Sequence, residues 1–311
     1  MPKIITITLN PAIDKSTSVP VLVPEKKMKC TLPVFEPGGG GINVARAIKK
    51  LGGNATALYL AGGYTGKFFT QLLDRENIDS IVIEMANHTR ENLIVLNSTA
   101  NLQYRFGMPG PLVEEVEWKK LLDTLEKING IDFIVASGSL PPGVPVDIYA
   151  RIASVAKRKG TKCVVDTSGE ALQLAAEEGV YLLKPNLGEL SSLVGSEEIS
   201  TGMVDDVAAT LIENGRSEVV LVSMGAAGAM LVTKQTVKQL SAPVVKRIST
   251  VGAGDSMVAG IIMGLSKGFS ILESAKYGVA SGTAATINPG TELCRLEDVE
   301  RLYPLIKETG L

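Results

Sequence analysis

From about residue 114 onward, short apolar runs alternate with stretches of helical periodicity. Residues 132–136, 162–166, 180–184 and 218–223 each read as a strand buried on both faces. Helical patterns fill the intervals, including an amphipathic run over 113–128 in which Trp118 reads as packing. This alternation predicts a mainly parallel sheet covered by helices. Ligands of such sheets sit beyond the carboxyl ends of the strands. The positions to read first are therefore Ser137-Gly138-Ser139, Asp166, Lys184-Pro185-Asn186 and Ser223-Met224-Gly225.

Two stretches break the rhythm, residues 11–36 and 87–108. In the second, runs 92–96 and 102–106 flank the polar segment 97–101 and read as a hairpin. Neither stretch carries a crossover helix, so together they predict a small separate β-sheet. The expected division is a core of residues 1–10, 37–86 and 109–311, with the small sheet from 11–36 and 87–108. That sheet would leave strand edges and one apolar face uncovered, with Leu93, Val95 and Phe106 as candidates for the face. A twofold partner is the commonest cover, so a homodimer through this sheet is expected.

Charge narrows the partners. The chain of 311 residues has 31 Lys+Arg against 33 Asp+Glu, a net charge of −2. No overall field draws it to nucleic acid or an anionic membrane. Phosphate recognition would have to come from a local pocket. The uncharged runs 219–233 and 277–291 hold Gly, Ser and Thr, and are shorter than the roughly 20 apolar residues of a membrane span. Cys30, Cys163 and Cys294 are far apart and odd in number, which suits neither a disulfide framework nor a zinc site. With a strand-like N-terminus, these features predict a cytoplasmic protein. His88, the single histidine, reads as a polar residue of the small-sheet region with no catalytic role.

Two glycine-rich segments carry candidate chemistry. Pro37-Gly-Gly-Gly-Gly41-Ile-Asn43-Val-Ala-Arg46 opens a helix whose apolar face holds Val44, Ala47, Ile48 and Leu51, with Arg46, Lys49 and Lys50 elsewhere. Glycines there let a ligand approach the main chain, and Asn43 offers amide donors and an acceptor to sugar hydroxyls. A lone glycine run is as often a flexible loop, and this one lacks the spacing of dinucleotide and phosphate-loop fingerprints. Ser249-Thr-Val-Gly252-Ala-Gly254-Asp255-Ser-Met opens a second helix, with Val258, Ile261, Ile262 and Leu265 on its apolar face. Its free first-turn amides and dipole would make an anion site. Asp255 alone would be an ordinary first-turn acid. Beside bared backbone, it is also where a kinase needs a base for an attacking hydroxyl.

With Asn186-Leu-Gly-Glu189 between them, these segments match in order and spacing the signatures of the PfkB (ribokinase-like) carbohydrate kinase family, and the chain resembles that family over essentially its whole length. The resemblance implies a three-layer α/β/α core, a mainly parallel sheet and a small β-sheet lid. It is strongest toward the minor-type bacterial 6-phosphofructokinases, through residues 31–46, 137–143 and 249–256. The implied activity is phosphorylation of fructose 6-phosphate at C1 by ATP with Mg2+. Tagatose-6-phosphate and fructose-1-phosphate kinases are siblings that usually place Lys where Gly40 stands. The epimer tagatose 6-phosphate remains the nearest rival, since these residues do not read one stereocentre. A catalytically silent sugar-phosphate sensor is the rival of another class, disfavoured by retention of Asp255 and Glu189.

The resemblance also implies roles. Asp255 would be the base, with the amides of Gly252, Ala253 and Gly254 as the anion hole. Asp14, Gly39, Asn43 and Ser139 would hold the sugar, and Arg90 and Arg105 would meet its phosphate or ring. Lys27 and Lys29 would reach a neighbouring subunit's substrate from the lid. Lys184, Asn186, Ser223 and Gly225 would bind nucleotide, and Glu189 would place Mg2+ through water. A K+ loop maps to the backbone of Ser249, Val251, Ala285, Asn288 and Gly290, with Ser249 where many relatives carry Asp.

Overall fold

A computed structural model describes residues 2–196, 198–289 and 291–310. Its strands are β1 (Ile4–Thr8), β2 (Ala12–Val19), β3 (Val34–Gly38), β4 (Thr56–Gly62), β5 (Asp79–Met85), β6 (Arg90–Asn97), β7 (Leu102–Phe106), β8 (Phe133–Ser137), β9 (Lys162–Asp166), β10 (Val180–Leu183), β11 (Ser217–Ser223), β12 (Ala229–Thr233), β13 (Val237–Ser241) and β14 (Lys307–Gly310). Its helices are α1 (Gly40–Lys50), α2 (Gly63–Arg75), α3 (Glu115–Lys127), α4 (Ile148–Lys159), α5 (Gly169–Glu178), α6 (Leu187–Leu193), α7 (Val204–Glu213), α8 (Ala253–Ser266), α9 (Ile271–Thr286) and α10 (Leu296–Leu302).

Ten strands form one sheet in the order β14-β13-β12-β11-β10-β9-β8-β1-β4-β5. It is parallel from β11 to β5, and β12, β13 and β14 add antiparallel strands at one edge. Alternate residues of the parallel strands feed two cores, which makes three layers. Ile4, Val135 and Val164 pack with α1, α2, α8 and α9, whereas Ile5, Ile7, Ile134 and Val165 pack with α3, α4, α5 and α7. Burial on both faces is what made these strands read as continuous apolar runs. The runs at 132–136, 180–184 and 218–223 differ from the observed strands by a residue at their ends, where ladder hydrogen bonds rather than apolarity set the limits. Trp118, on α3, is buried.

From β1 the chain steps outward through β4 and β5, and later from β8 through β11 in the opposite direction. The order therefore reverses between β1 and β8, which opens a crevice beyond their carboxyl ends. The small sheet runs β3-β2-β6-β7 and contains the expected hairpin, with Leu93 opposite Phe106 and Val95 opposite Tyr104. Strand β3 ends at Gly38, inside the glycine run and past the boundary expected at residue 36. Val95, expected on the uncovered face, is already buried within the chain. The exposed apolar side chains lie on the two edge strands, at Leu102, Tyr104 and Phe106 of β7 and Val34 of β3. Among the described residues no helix is long and apolar enough to cross a membrane.

Candidate active site

Two helix N-termini meet at the crevice. Gly252 caps α8 in the left-handed region, at φ 69°, where a side chain would also press on Leu293. The first regular helix bond runs from the Ser256 amide to the Gly252 carbonyl (2.8 Å), so the amides ahead of it have no partner within the helix, and that of Ala253 makes only a long bond, 3.5 Å, to the Thr250 carbonyl. Gly39 caps α1 at φ 117°, packed against Thr8 and Pro11, and its carbonyl accepts from the Asn43 amide at 2.8 Å. A Cβ on Gly40 would run into Ser137 and Gly138, and one on Gly41 into Ile7 and Thr8. The run is thus a tight seat for α1 on the ends of β1 and β8. Across it, Asn43 Nδ2 donates to Asp255 Oδ2 at 2.9 Å, joining two motifs 212 residues apart.

Burial, reinforced by the charge of Asp166, pushes the Asp255 carboxyl up to about 7; the Asn43 bond and the Lys184 charge pull the other way. The residue nevertheless stays partly exposed. Lys184, at the end of β10, is 6% exposed, and its Nζ lies 3.1 Å from Asp166 Oδ1. Burial works against its charge, but Asp166, with Glu189 and Asp255, outweighs burial and holds its pKa above the ordinary lysine value. Glu189 and Asn186 form a capping box on α6: the Asn186 amide donates to Glu189 Oε2 (2.8 Å) and the Glu189 amide to Asn186 Oδ1 (2.9 Å). Burial raises the Glu189 pKa, opposed by these bonds and by Lys184. Asp166 sits at the centre of the charge balance. Its only sequence signal was its place at the end of an apolar run.

Such a site can take a proton from an alcohol at Asp255 and hold a polyanion between Lys184 and the α8 amides. Its metal chemistry is that of a hydrated hard cation. Among the described residues no three His, Cys, Asp or Glu form an all-protein cage; the carboxylates beside the anion site are Glu189, held in its capping box, and Asp166, paired with Lys184. Ser223 and Gly225 border a cavity of about 570 Å³, closed by Val245, Met257, Val279 and Thr283. Its apolar lining suits a flat ring. Met257 ends the second glycine-rich segment, but no motif announced Val245, Val279 and Thr283, because they come from the segment after β13 and from α9.

On the other side, Asp14 lies in register between Glu36 of β3 and Asn92 of β6. Asn92 Nδ2 donates to Asp14 Oδ1 at 2.8 Å, and burial raises the Asp14 pKa against that bond. Ser139 Oγ accepts from Asn10 Nδ2 at 3.1 Å. Arg90 donates to the backbone carbonyls of Asn10 and Met108, each at 3.0 Å, and burial lowers its pKa. Asp14, Gly39, Asn43, Arg90, Ser139 and Asp255 therefore converge. Arg105 does not: it is exposed on β7 and donates to Gln103. Lys27 and Lys29 are exposed in the loop between β2 and β3. The segments holding Ser249, Val251, Ala285 and Asn288 are neighbours, joined by the Ile248 amide donating to the Thr286 carbonyl at 2.8 Å. Asn288 is buried and donates to the carbonyls of Ala284 and Leu293, while Gly290 lies outside the described residues. Arg46, expected off the packed face of α1, is buried among Glu36, Glu76 and Pro37.

Known proteins share this architecture. The profile of the pfkB family carbohydrate kinases matches residues 4–298. ATP-dependent 6-phosphofructokinase isozyme 2 of Mycobacterium tuberculosis (strain ATCC 25618 / H37Rv) is 46% identical over 99% of this chain and 91% of its own length. Solved structures of phosphofructokinase-2 from Escherichia coli include a complex with potassium (TM-score 0.94, 44% identity) and a complex with fructose-6-phosphate (TM-score 0.92, 42% identity). A tetrameric inhibited form of the same protein gives a TM-score of 0.92 at 43% identity. Each similarity covers 98% of this chain and 99% of the solved one. The chain belongs to the pfkB family of carbohydrate kinases.

Proposed function

We propose that this chain is an ATP-dependent 6-phosphofructokinase that converts fructose 6-phosphate to fructose 1,6-bisphosphate. One observation carries the mechanism: the Asp255 carboxyl stands in the first turn of α8 and accepts from Asn43 across the crevice, where burial pushes its pKa up to about 7. Asp255 takes the proton of the C1 hydroxyl as that oxygen bonds to the γ-phosphorus. The bond from the γ-phosphorus to its bridging oxygen breaks, and ADP leaves. The amides of Gly252, Ala253 and Gly254, with Lys184, stabilise the charge on the transferring group. Asp14, Gly39, Asn43 and Ser139 hold the sugar hydroxyls. Arg90 and Arg105 serve the sugar phosphate or ring, and Arg105 does so by reaching in from the lid edge. Asn186, Ser223 and Gly225 line the nucleotide side, and the apolar cavity takes the base. Mg2+ bound with ATP supplies charge neutralisation at the phosphates, and Glu189 would hold it through water.

The four-stranded sheet is read as the lid, and its exposed β7 as a surface for a second copy of the chain. Lys27 and Lys29 would serve the partner's substrate. The carbonyls of Ser249, Val251, Ala285 and Asn288 are proposed to hold K+, supported by the potassium complex of the Escherichia coli relative. Three unpaired cysteines support a reducing, cytoplasmic setting. The test is a coupled assay of ADP release with fructose 6-phosphate, tagatose 6-phosphate and fructose 1-phosphate. Fructose 6-phosphate should give the highest kcat/KM. A higher value for either of the others overturns the substrate assignment, and no ADP release with any of them favours a silent sensor.

A further inference from the structure

Arg46 is 3% exposed and fixed from two sides of the core. Its Nε and one terminal nitrogen grip Glu76, at the end of α2, at 2.8 and 2.7 Å. The other terminal nitrogen donates to the Pro37 carbonyl at 2.9 Å. The Glu76 fork alone suffices to keep this guanidinium paired. Yet Arg46 also donates to Glu36 Oε1 at 3.2 Å, and Glu36 sits in the lid sheet. Glu36 Oε2 is taken separately, by the hydroxyl of Thr291, 255 residues away in the loop that follows α9. Thr291 is itself 4% exposed. One carboxylate thus bridges an immobile core cation and a distant loop.

The strand carrying Glu36 also sets the sugar side. Glu36 faces Asp14 directly across the antiparallel pair β3–β2, and side chains opposite each other in such a pair share one face. Asp14 Oδ2 lies against Gly38 of the same strand, so closely that no Cβ would fit there. A displacement of β3 therefore displaces the Asp14 carboxylate. Asn92 holds the opposite oxygen of Asp14 and fixes it from β6. Two like charges side by side would separate if released. Burial first, and then the charge of Glu36, pushes the Asp14 pKa up, with the Asn92 bond, Arg90 and Arg46 opposing.

We propose that Glu36 is a positioning residue: by dividing its carboxylate between Arg46 and Thr291, it couples the loop after α9 to the placement of Asp14 at the sugar. The inference rests on Asp14 lying in the sugar site. The segment before Thr291 includes Asn288, so the coupling joins the proposed cation loop to substrate binding without passing through Asp255.

The test uses the full-length enzyme and three variants. Thr291→Val keeps the shape and removes the hydroxyl, Thr291→Ser restores it, and Glu36→Gln offers one acceptor to two donors. A hydrogen bond to a charged group is worth one to two decades, and a relay passes on part of that. Thr291→Val and Glu36→Gln should each raise the KM for fructose 6-phosphate by about 5- to 20-fold, with the ATP KM within about twofold of wild type. Thr291→Ser should restore the wild-type sugar KM. An unchanged sugar KM in Thr291→Val, an equal rise in the ATP KM, or failure of Ser to restore would overturn the coupling. Sugar-phosphate Kd values from calorimetry accompany the kinetics, so the ratios stand where turnover is low. If wild type prefers another sugar phosphate, the functional assignment changes and the same ratios, read with that substrate, still decide the coupling. A wild-type enzyme that binds no sugar phosphate overturns both.

Discussion

Replacing Asp255 by Asn should stabilise the ligand-free protein while disabling it. The carboxyl has a pKa near 7 in the fold against 3.8 in its ordinary environment. A raised acid pKa means that ionisation costs more in the folded state than in the unfolded one. The cost is absent below the unfolded value, grows as pH rises from about 4, and is complete above about 7. A rise from 3.8 to about 7 corresponds to about 4 kcal/mol at 1.36 kcal/mol per unit. The side chain is partly exposed, so solvent reduces this to about 1–3 kcal/mol. Asn never ionises, and its oxygen can still accept from Asn43. Urea unfolding of both proteins at pH 5 and pH 8, with no ligand, measures the difference. The variant should gain more at pH 8 than at pH 5. Its kcat should fall by at least ~100-fold, the scale of general-base catalysis. An Asn variant that is less stable at pH 8, or equally shifted at both pH values, would refute the desolvated environment. A near-normal kcat would remove Asp255 from the chemistry.

Wild-type kcat/KM should rise with pH through about 7 as Asp255 ionises, and a flat profile between pH 5.5 and 8.5 would contradict that titration. Arg90→Ala should raise the fructose 6-phosphate KM by about 10- to 150-fold and the ATP KM far less, the worth of a charge-assisted contact; a change confined to the ATP KM would invert the assignment. Mixing Asp255→Asn with Lys27→Ala subunits should restore activity if Lys27 serves the partner's site, since one site of each heterodimer is then intact. No recovery after verified subunit exchange would rule out the shared site. In thiol labelling, Cys30 should react in the native protein, whereas burial pushes Cys163 up to about 12 and Cys294 to about 11 and keeps both silent until unfolding.

The parallel core was legible because strands buried on both faces leave continuous apolar runs, and β8 to β11 follow those runs closely. The two glycine-led helix starts were equally legible, since a cap needing a positive φ is a local demand that glycine answers at Gly39 and Gly252. The hairpin β6–β7 followed from alternation alone. Other features had no local signature. Arg46 looked like one more helix-surface cation, and only the approach of β3 and the end of α2 buries it. Val95 read as part of an uncovered face, yet it is buried in the fold. The bond from Asn43 to Asp255 spans 212 residues and exists because the sheet order brings α1 and α8 to one crevice. The ion pair of Lys184 with Asp166 and the raised pKa of Asp255 follow the same rule. Residue type and periodicity are properties of neighbours in the chain, and they decided which elements form and where their polar ends lie. Desolvation and charge coupling depend on which elements become neighbours in space, so the acidity of Asp255 and the reach of Glu36 were decided only by the tertiary structure.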